Sequence, residues 1–136
     1  MPTKPLNQHE IRIRAVQALY LLESQADESV DNALAFALGY DDRLLEAPTF
    51  LTELIHGTRA KKDLLDEQIT VHLADNWSVK RLAPINRVIL RLGIFEILFT
   101  ETPRVVAINE AIELAKAFND DKDAKFINAI LTKIGD

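Results

Sequence analysis

The chain has no cysteine, only three histidines and four glycines, and just three serines in 136 residues. Without cysteine there is no disulfide framework, no thiolate metal site and no cysteine nucleophile, and the composition fits a reducing compartment. His9, His56 and His72 stand isolated, with none of the paired-histidine or histidine–carboxylate spacings that hold a metal, so no metal and no other cofactor is expected. Gly39, Gly57, Gly93 and Gly135 form neither a G-x-G pattern nor a P-loop, and Ser24, Ser29 and Ser78 lie in no nucleophile-elbow context. No stretch approaches the roughly 20 apolar residues of a membrane span, and Met1-Pro2-Thr3-Lys4-Pro5 lacks the apolar run of a signal peptide. A cytoplasmic, soluble protein with no membrane partner is the expectation. Glu110 and Glu113, three residues apart, are the one candidate carboxylate pair, and such a pair serves equally as the solvated edge of a helix. An enzyme is not expected.

What is present is helical periodicity. The chain is about one ordinary domain, long enough to bury roughly two thirds of the surface its unfolded form exposes. Ile11, Ala15, Ala18, Leu19 and Leu22 form one stripe of a helix over residues 8–24. Ser29 is an N-cap for a second helix, which Gly39 ends. Pro48 suits the first position of a long third helix reaching about residue 73, with Gly57 and Thr58 inside it as a bend or a close helix contact. Asp75-Asn76 breaks the pattern, Trp77 reads as a core anchor, and Ser78 caps a short turn through Leu82. Pro84 then starts a helix that is apolar nearly all round, from Ile85 to Phe99, and is therefore expected at the centre of the fold. Thr102-Pro103 ends it, because proline disfavours helix in the residue before it. A helix over residues 106–118 and a last one reaching about residue 134, separated by Asn119-Asp120-Asp121-Lys122-Asp123, complete the chain. Val105-Val106 is too short to count as a strand. The fold class is all-α, with six or seven helices in two small subdomains, about 1–75 and 76–136.

The net charge of −5 argues against non-specific nucleic-acid binding by the chain as a whole, yet its distribution is uneven. Residues 21–58 hold eight acids against Arg43 alone, whereas residues 59–91 hold seven bases against four acids. Phosphate contacts are available at two helix starts. The first helix carries Arg12 and Arg14 beside a leader containing Lys4 and His9, with Arg12 expected on the polar side. The last helix opens with Lys122, Lys125 and Phe126, and its N-terminal amides suit phosphate. Phe126 reads either as a core residue or as a stacking surface for a base, and the two arginines either as solvated positions or as phosphate ligands. Periodicity alone does not bring the two helix starts together.

The order of residues says more than their spacing. Val105-Val106-Ala107-Ile108-Asn109-Glu110-Ala111-Ile112-Glu113-Leu114-Ala115-Lys116, followed by Lys125-Phe126-Ile127-Asn128-Ala129-Ile130-Leu131, resembles the closing pattern of the NusB family. Arg14 through Tyr20, Trp77 through Pro84, and Ile89 through Glu96 agree with the same resemblance, which covers nearly the whole chain. It implies a transcription antitermination factor that binds boxA RNA of ribosomal-operon leaders together with the small-subunit ribosomal protein NusE, within a complex on RNA polymerase. By that resemblance the RNA site joins the two helix starts: Lys4, His9, Arg12, Arg14 and Gln17 on one side, Lys122, Lys125 and Phe126 on the other. Tyr20, Asn86 and Arg87 fall on the side that faces NusE. The chain departs from the family in having fewer arginines before Gln17-Ala18-Leu19-Tyr20, in Asn86 where glutamate is usual, and in Ala129 where glycine is usual; fewer cations imply weaker and less salt-steep RNA binding. Two other classes fit the same helices: the N-terminal part of a ribosomal-RNA cytosine methyltransferase, and a helical interaction module that holds a basic protein on the acidic 21–58 face. The oligomeric state, a homodimer included, is not disclosed by apolar stripes.

Overall fold

A computed structural model describes residues 6–39 and 47–135. Among the described residues there are seven α-helices and no strand: α1 (Gln8–Ser24), α2 (Val30–Ala37), α3 (Thr49–Ala60), α4 (Lys62–Val71), α5 (Pro84–Phe99), α6 (Arg104–Phe118) and α7 (Asp121–Leu131), with one 3-10 turn at Val79–Arg81. The helix ends follow local chemistry. Asn7 accepts from the amide of Glu10 at 2.8 Å while Glu10 reaches back to the amide of Asn7, a reciprocal capping box. Ser29 caps α2 through the amide of Asn32, and Gly39 leaves that helix with φ +71, a conformation that a side chain would strain. Proline sits at the first position of α5.

Helix α5 is the axis of the molecule. Every residue from Val88 to Glu96 is buried, and α5 packs against α1, α3, α4, α6 and α7. Gly57 is the close helix contact: a Cβ built there would lie 2.1 Å from Cζ of Phe95, so the glycine is what lets α3 approach the Phe95 ring. Gly57→Ala is expected to lower stability by about 1–2 kcal/mol, overpacking outweighing the gain in helix propensity. Phe95→Leu in the same chain should recover part of that loss in urea unfolding. A Gly57→Ala chain more stable than the parent would mean that the ring moves aside freely.

Two expectations about this region are corrected. The third helix does not run unbroken to residue 73 but ends at Ala60, with Lys61 (φ −98, ψ 10) as the joint to α4. The apolar stripe continues across the joint through Leu54, Ile55, Leu65 and Ile69, so periodicity carried no mark of it. Trp77 is not a core anchor: it is 47% exposed, and Val79 and Leu82 are the residues of that turn that enter the core.

Candidate nucleic-acid interface

Arg12 is 1% exposed. Its Nε donates to both carboxylate oxygens of Glu96, at 3.1 and 2.9 Å, and its Nη2 donates to Oε1 at 2.8 Å. Thr102 donates its hydroxyl to the same oxygen at 3.1 Å, Glu110 Oε1 lies 3.9 Å from Nη1, and the guanidinium stands 5.4 Å from the centroid of the Phe50 ring. The expectation that Arg12 lies on the polar side of α1 is therefore corrected. Offsets of three, four and seven place Arg12 on the same face as Ala15, Val16 and Leu19, and all three are buried. Its Nε and Nη2 are bonded inside the chain to α5, and Nη1 faces the Glu110 carboxylate of α6.

The other candidates of α1 divide. Arg14 donates Nη1 to the carbonyl of Ala37 at 2.8 Å, closing the C-terminal turn of α2, where a cation also meets the favourable end of the helix dipole. Gln17 is half-buried. His9 is exposed, with Nδ1 3.1 Å from Oε2 of Glu110. Lys4 lies outside the described residues.

At the start of α7, Lys122 and Lys125 are exposed and Phe126 is half-buried, packed against the core on one side and lining a surface groove on the other. Asp120 caps this helix by accepting from the amide of Asp123, and that bond, with the Asp123 side chain and nearby Lys122 assisting, holds the Asp120 carboxyl below the usual carboxylate range. Asn86 is 5% exposed: its amide donates to Asp123 Oδ1 at 2.7 Å and its carbonyl accepts from Asn119 at 3.2 Å. Asn86 also lines a surface groove. Asn86 fastens the first turn of α5 to both sides of the α6–α7 connection.

Tyr20 stands 44% exposed, one turn before Glu23 on the same helix. Glu23 lies 3.2 Å from Nε of Arg87, at an angle that makes an ion pair but not a hydrogen bond, and accepts from Nη1 of Arg91 at 2.7 Å. Arg91 also grips Asp66 with two parallel bonds of 2.6 and 2.9 Å. Burial alone would lower the Arg91 pKa, but the bonds and charges of Asp66 and Glu23 outweigh it and raise the value.

These contacts fix the layout. Arg12 meets Glu96 and Glu23 meets Arg91, so α1 runs antiparallel to α5, and its start lies by the end of α5. The start of α7 lies by Asn86, at the other end. Ten residues of helix separate Asn86 from Glu96, about 15 Å along the axis. The two helix starts are thus not adjacent, and Lys122 and Phe126 share the end of α5 that also carries Arg87.

A model of the NusB family matches residues 9–136. The chain belongs to the NusB family. The protein named Transcription antitermination protein NusB from Enterococcus faecalis (strain ATCC 700802 / V583) is 44% identical over 142 positions, covering 98% of this chain and 92% of its own length. The protein of the same name from Macrococcus caseolyticus (strain JCSC5402) is 42% identical over 130 positions, covering 95% and 96%. Among solved structures, NusB of T. maritima superposes with a TM-score of 0.82 at 30% identity, covering 96% of this chain and 91% of that one. A structure of antitermination factors NusB and NusE in complex with dsRNA superposes at 0.79 with 22% identity, covering 92% of each, a likeness of fold. These curated relatives are named as antitermination proteins and not as enzymes, in agreement with the non-enzymatic reading of the sequence.

Of the candidate positions, Lys122 and Lys125 are exposed and Phe126 is half-buried, while Arg12, Arg14 and Asn86 make contacts within the chain. The reading of the sequence missed the surface partnership of Trp77 with Arg81, whose guanidinium stands 4.9 Å from the ring centroid. Their spacing of four residues was the available signal.

Proposed function

We propose that the chain is a cytoplasmic transcription antitermination factor that binds single-stranded boxA-type RNA of ribosomal-operon leaders together with NusE, the pair acting in a complex on RNA polymerase. The observation that carries this reading is the near-full-length identity of 42–44% to proteins named for antitermination. The α7 start supports it with two exposed lysines and a half-buried phenylalanine, its helix end being already capped by Asp120. With Arg12 buried against Glu96, and Arg14 and His9 each holding one contact within the chain, the phosphate contacts rest chiefly on Lys122 and Lys125, and RNA affinity of the chain alone is correspondingly low. A basic partner at the Tyr20 and Arg87 end would add positive charge beside Lys122.

The expected result is that the pair binds boxA-type RNA at least about tenfold more tightly than the chain alone, a coupling of roughly 1.4 kcal/mol. By linkage, saturating RNA tightens the protein–protein contact by the same factor. Titration calorimetry on the binary and ternary combinations measures both. Equal RNA affinity with and without NusE would show the sites to be uncoupled, and binding of NusE with no RNA affinity in any combination would favour the interaction-module alternative.

A further inference from the structure

Trp77 is the only tryptophan of the chain, and its exposure is not that of a loose side chain. Its amide donates to the carbonyl of Ala74 at 2.9 Å, fixing the turn that carries it. The guanidinium of Arg81 lies 4.9 Å from the indole centroid and is itself anchored, Nη1 donating to the carbonyl of Asn76 at 2.7 Å. Two planar π surfaces are thus held in register at the protein surface before any ligand arrives.

This pair lines a groove of about 510 Å³ together with Lys122 and Phe126 of α7, with Leu82 and Asn86 also in its lining. The lining holds two permanent cations, Arg81 and Lys122, and one acid, Asp123, whose Oδ1 is taken by Asn86, while exposed Asp75, Asp120 and Asp121 adjoin it, so the groove is mixed in charge and stacking is its distinctive chemistry. Lys80 and Lys125, next in sequence and one turn on, are exposed. Planar side chains contributed by two separate segments of the lining, each with a cation near it in the chain, match a strand of alternating bases and phosphates.

From this groove we infer that single-stranded RNA runs from the start of α7 to the α4–α5 connection, with an unpaired base stacked on the Trp77–Arg81 pair. The inference rests on the RNA-binding reading above and adds to it a stacking subsite beyond Phe126. Stacking uses the face that every base possesses, so the subsite adds affinity with little sequence preference.

Because Trp77 is the sole tryptophan, its emission reports directly on the subsite. A short, end-labelled, single-stranded boxA-type RNA is titrated into the full chain, alone and with NusE, while RNA anisotropy and tryptophan emission are followed in parallel. The expected result is quenching of Trp77 that saturates with the anisotropy. Trp77→Ala should weaken RNA binding about five- to a hundredfold and Trp77→Phe much less, with melting curves near the parent because the side chain lies outside the core. RNA that binds by anisotropy but leaves the emission and the Trp77→Ala affinity unchanged would overturn the stacking subsite while leaving the RNA-binding reading intact. No RNA binding in either arm would remove both. An emission change produced in full by NusE alone, with none added by RNA, would assign the groove to a protein contact and overturn the inference.

Discussion

Replacement of Arg12 by alanine is expected to destabilise the chain by about 3–5 kcal/mol, the cost of leaving a buried carboxylate without its partner. Glu96 is itself buried, and the Arg12 guanidinium supplies three of its short contacts, Thr102 one more. Domains of this size hold only about 5–15 kcal/mol in all, so the variant should sit near the edge of folding. A solvated arginine serving only as a phosphate ligand would behave differently: its loss would change stability by less than about 0.5 kcal/mol and lower the salt slope of RNA binding by about one. Urea unfolding separates the two. The paired change Arg12→Met with Glu96→Leu removes both charges and should recover most of the loss, because a buried ion pair exchanged for apolar groups of similar volume is close to neutral. An Arg12→Ala chain as stable as the parent would show that Glu96 is relieved by water and that the pair is not what joins α1 to α5.

The elements of the fold were legible to the extent that they are written locally. The cap of α2, Gly39, and proline at the start of α5 all act within a few residues of themselves, and the helices they bound lie where the periodicity puts them, whereas the Asn7–Glu10 capping box of α1 went unread. Polar residues that enter the interior are a different case, because their partners are remote. Arg12 finds Glu96 across 84 residues and Asn86 finds Asp123 across 37. The sequence still held a trace of the first pair: Arg12 shares the heptad face of Ala15, Val16 and Leu19, and Glu96 and Arg91 are the only charges between Val88 and Phe99. A charge inside an apolar helix requires an opposite charge to meet it, and α1 had one on its inner face. Trp77 misled for the opposite reason. Size and hydrophobicity favour burial, but the turn at Ala74 and the anchored Arg81 hold the indole at the surface. The candidate site followed the same division: Lys122, Lys125 and Phe126 were visible at a helix start, whereas the groove that joins Phe126 to Trp77 is made by the α4–α5 connection, the first turn of α5 and the start of α7.

Leu92→Ala tests whether α5 is central in energy as well as in position. Leu92 is 1% exposed and lies near the middle of a helix that is covered by five others. Truncation removes the burial of its side chain and leaves a cavity, a combined cost of about 2–5 kcal/mol, with the value set by how far the surroundings collapse. Collapse is restricted here. Beside it, Gly93 packs so closely that a Cβ would approach the Leu131 side chain of α7 to 2.9 Å, and two residues further on the Phe95 ring lies against Gly57 of α3, so close glycine-to-side-chain contacts on two sides hold α5 in place. The upper half of the range is therefore expected, which for a chain of this length lowers the melting temperature by about 10 °C or more. Leu98→Ala on the same helix is the control, since Leu98 is exposed and its loss should cost less than about 1 kcal/mol. Equal and small losses at both positions would mean that the helices around α5 close over the missing side chain, and that the tight approaches at Gly57 and Gly93 do not hold the bundle open.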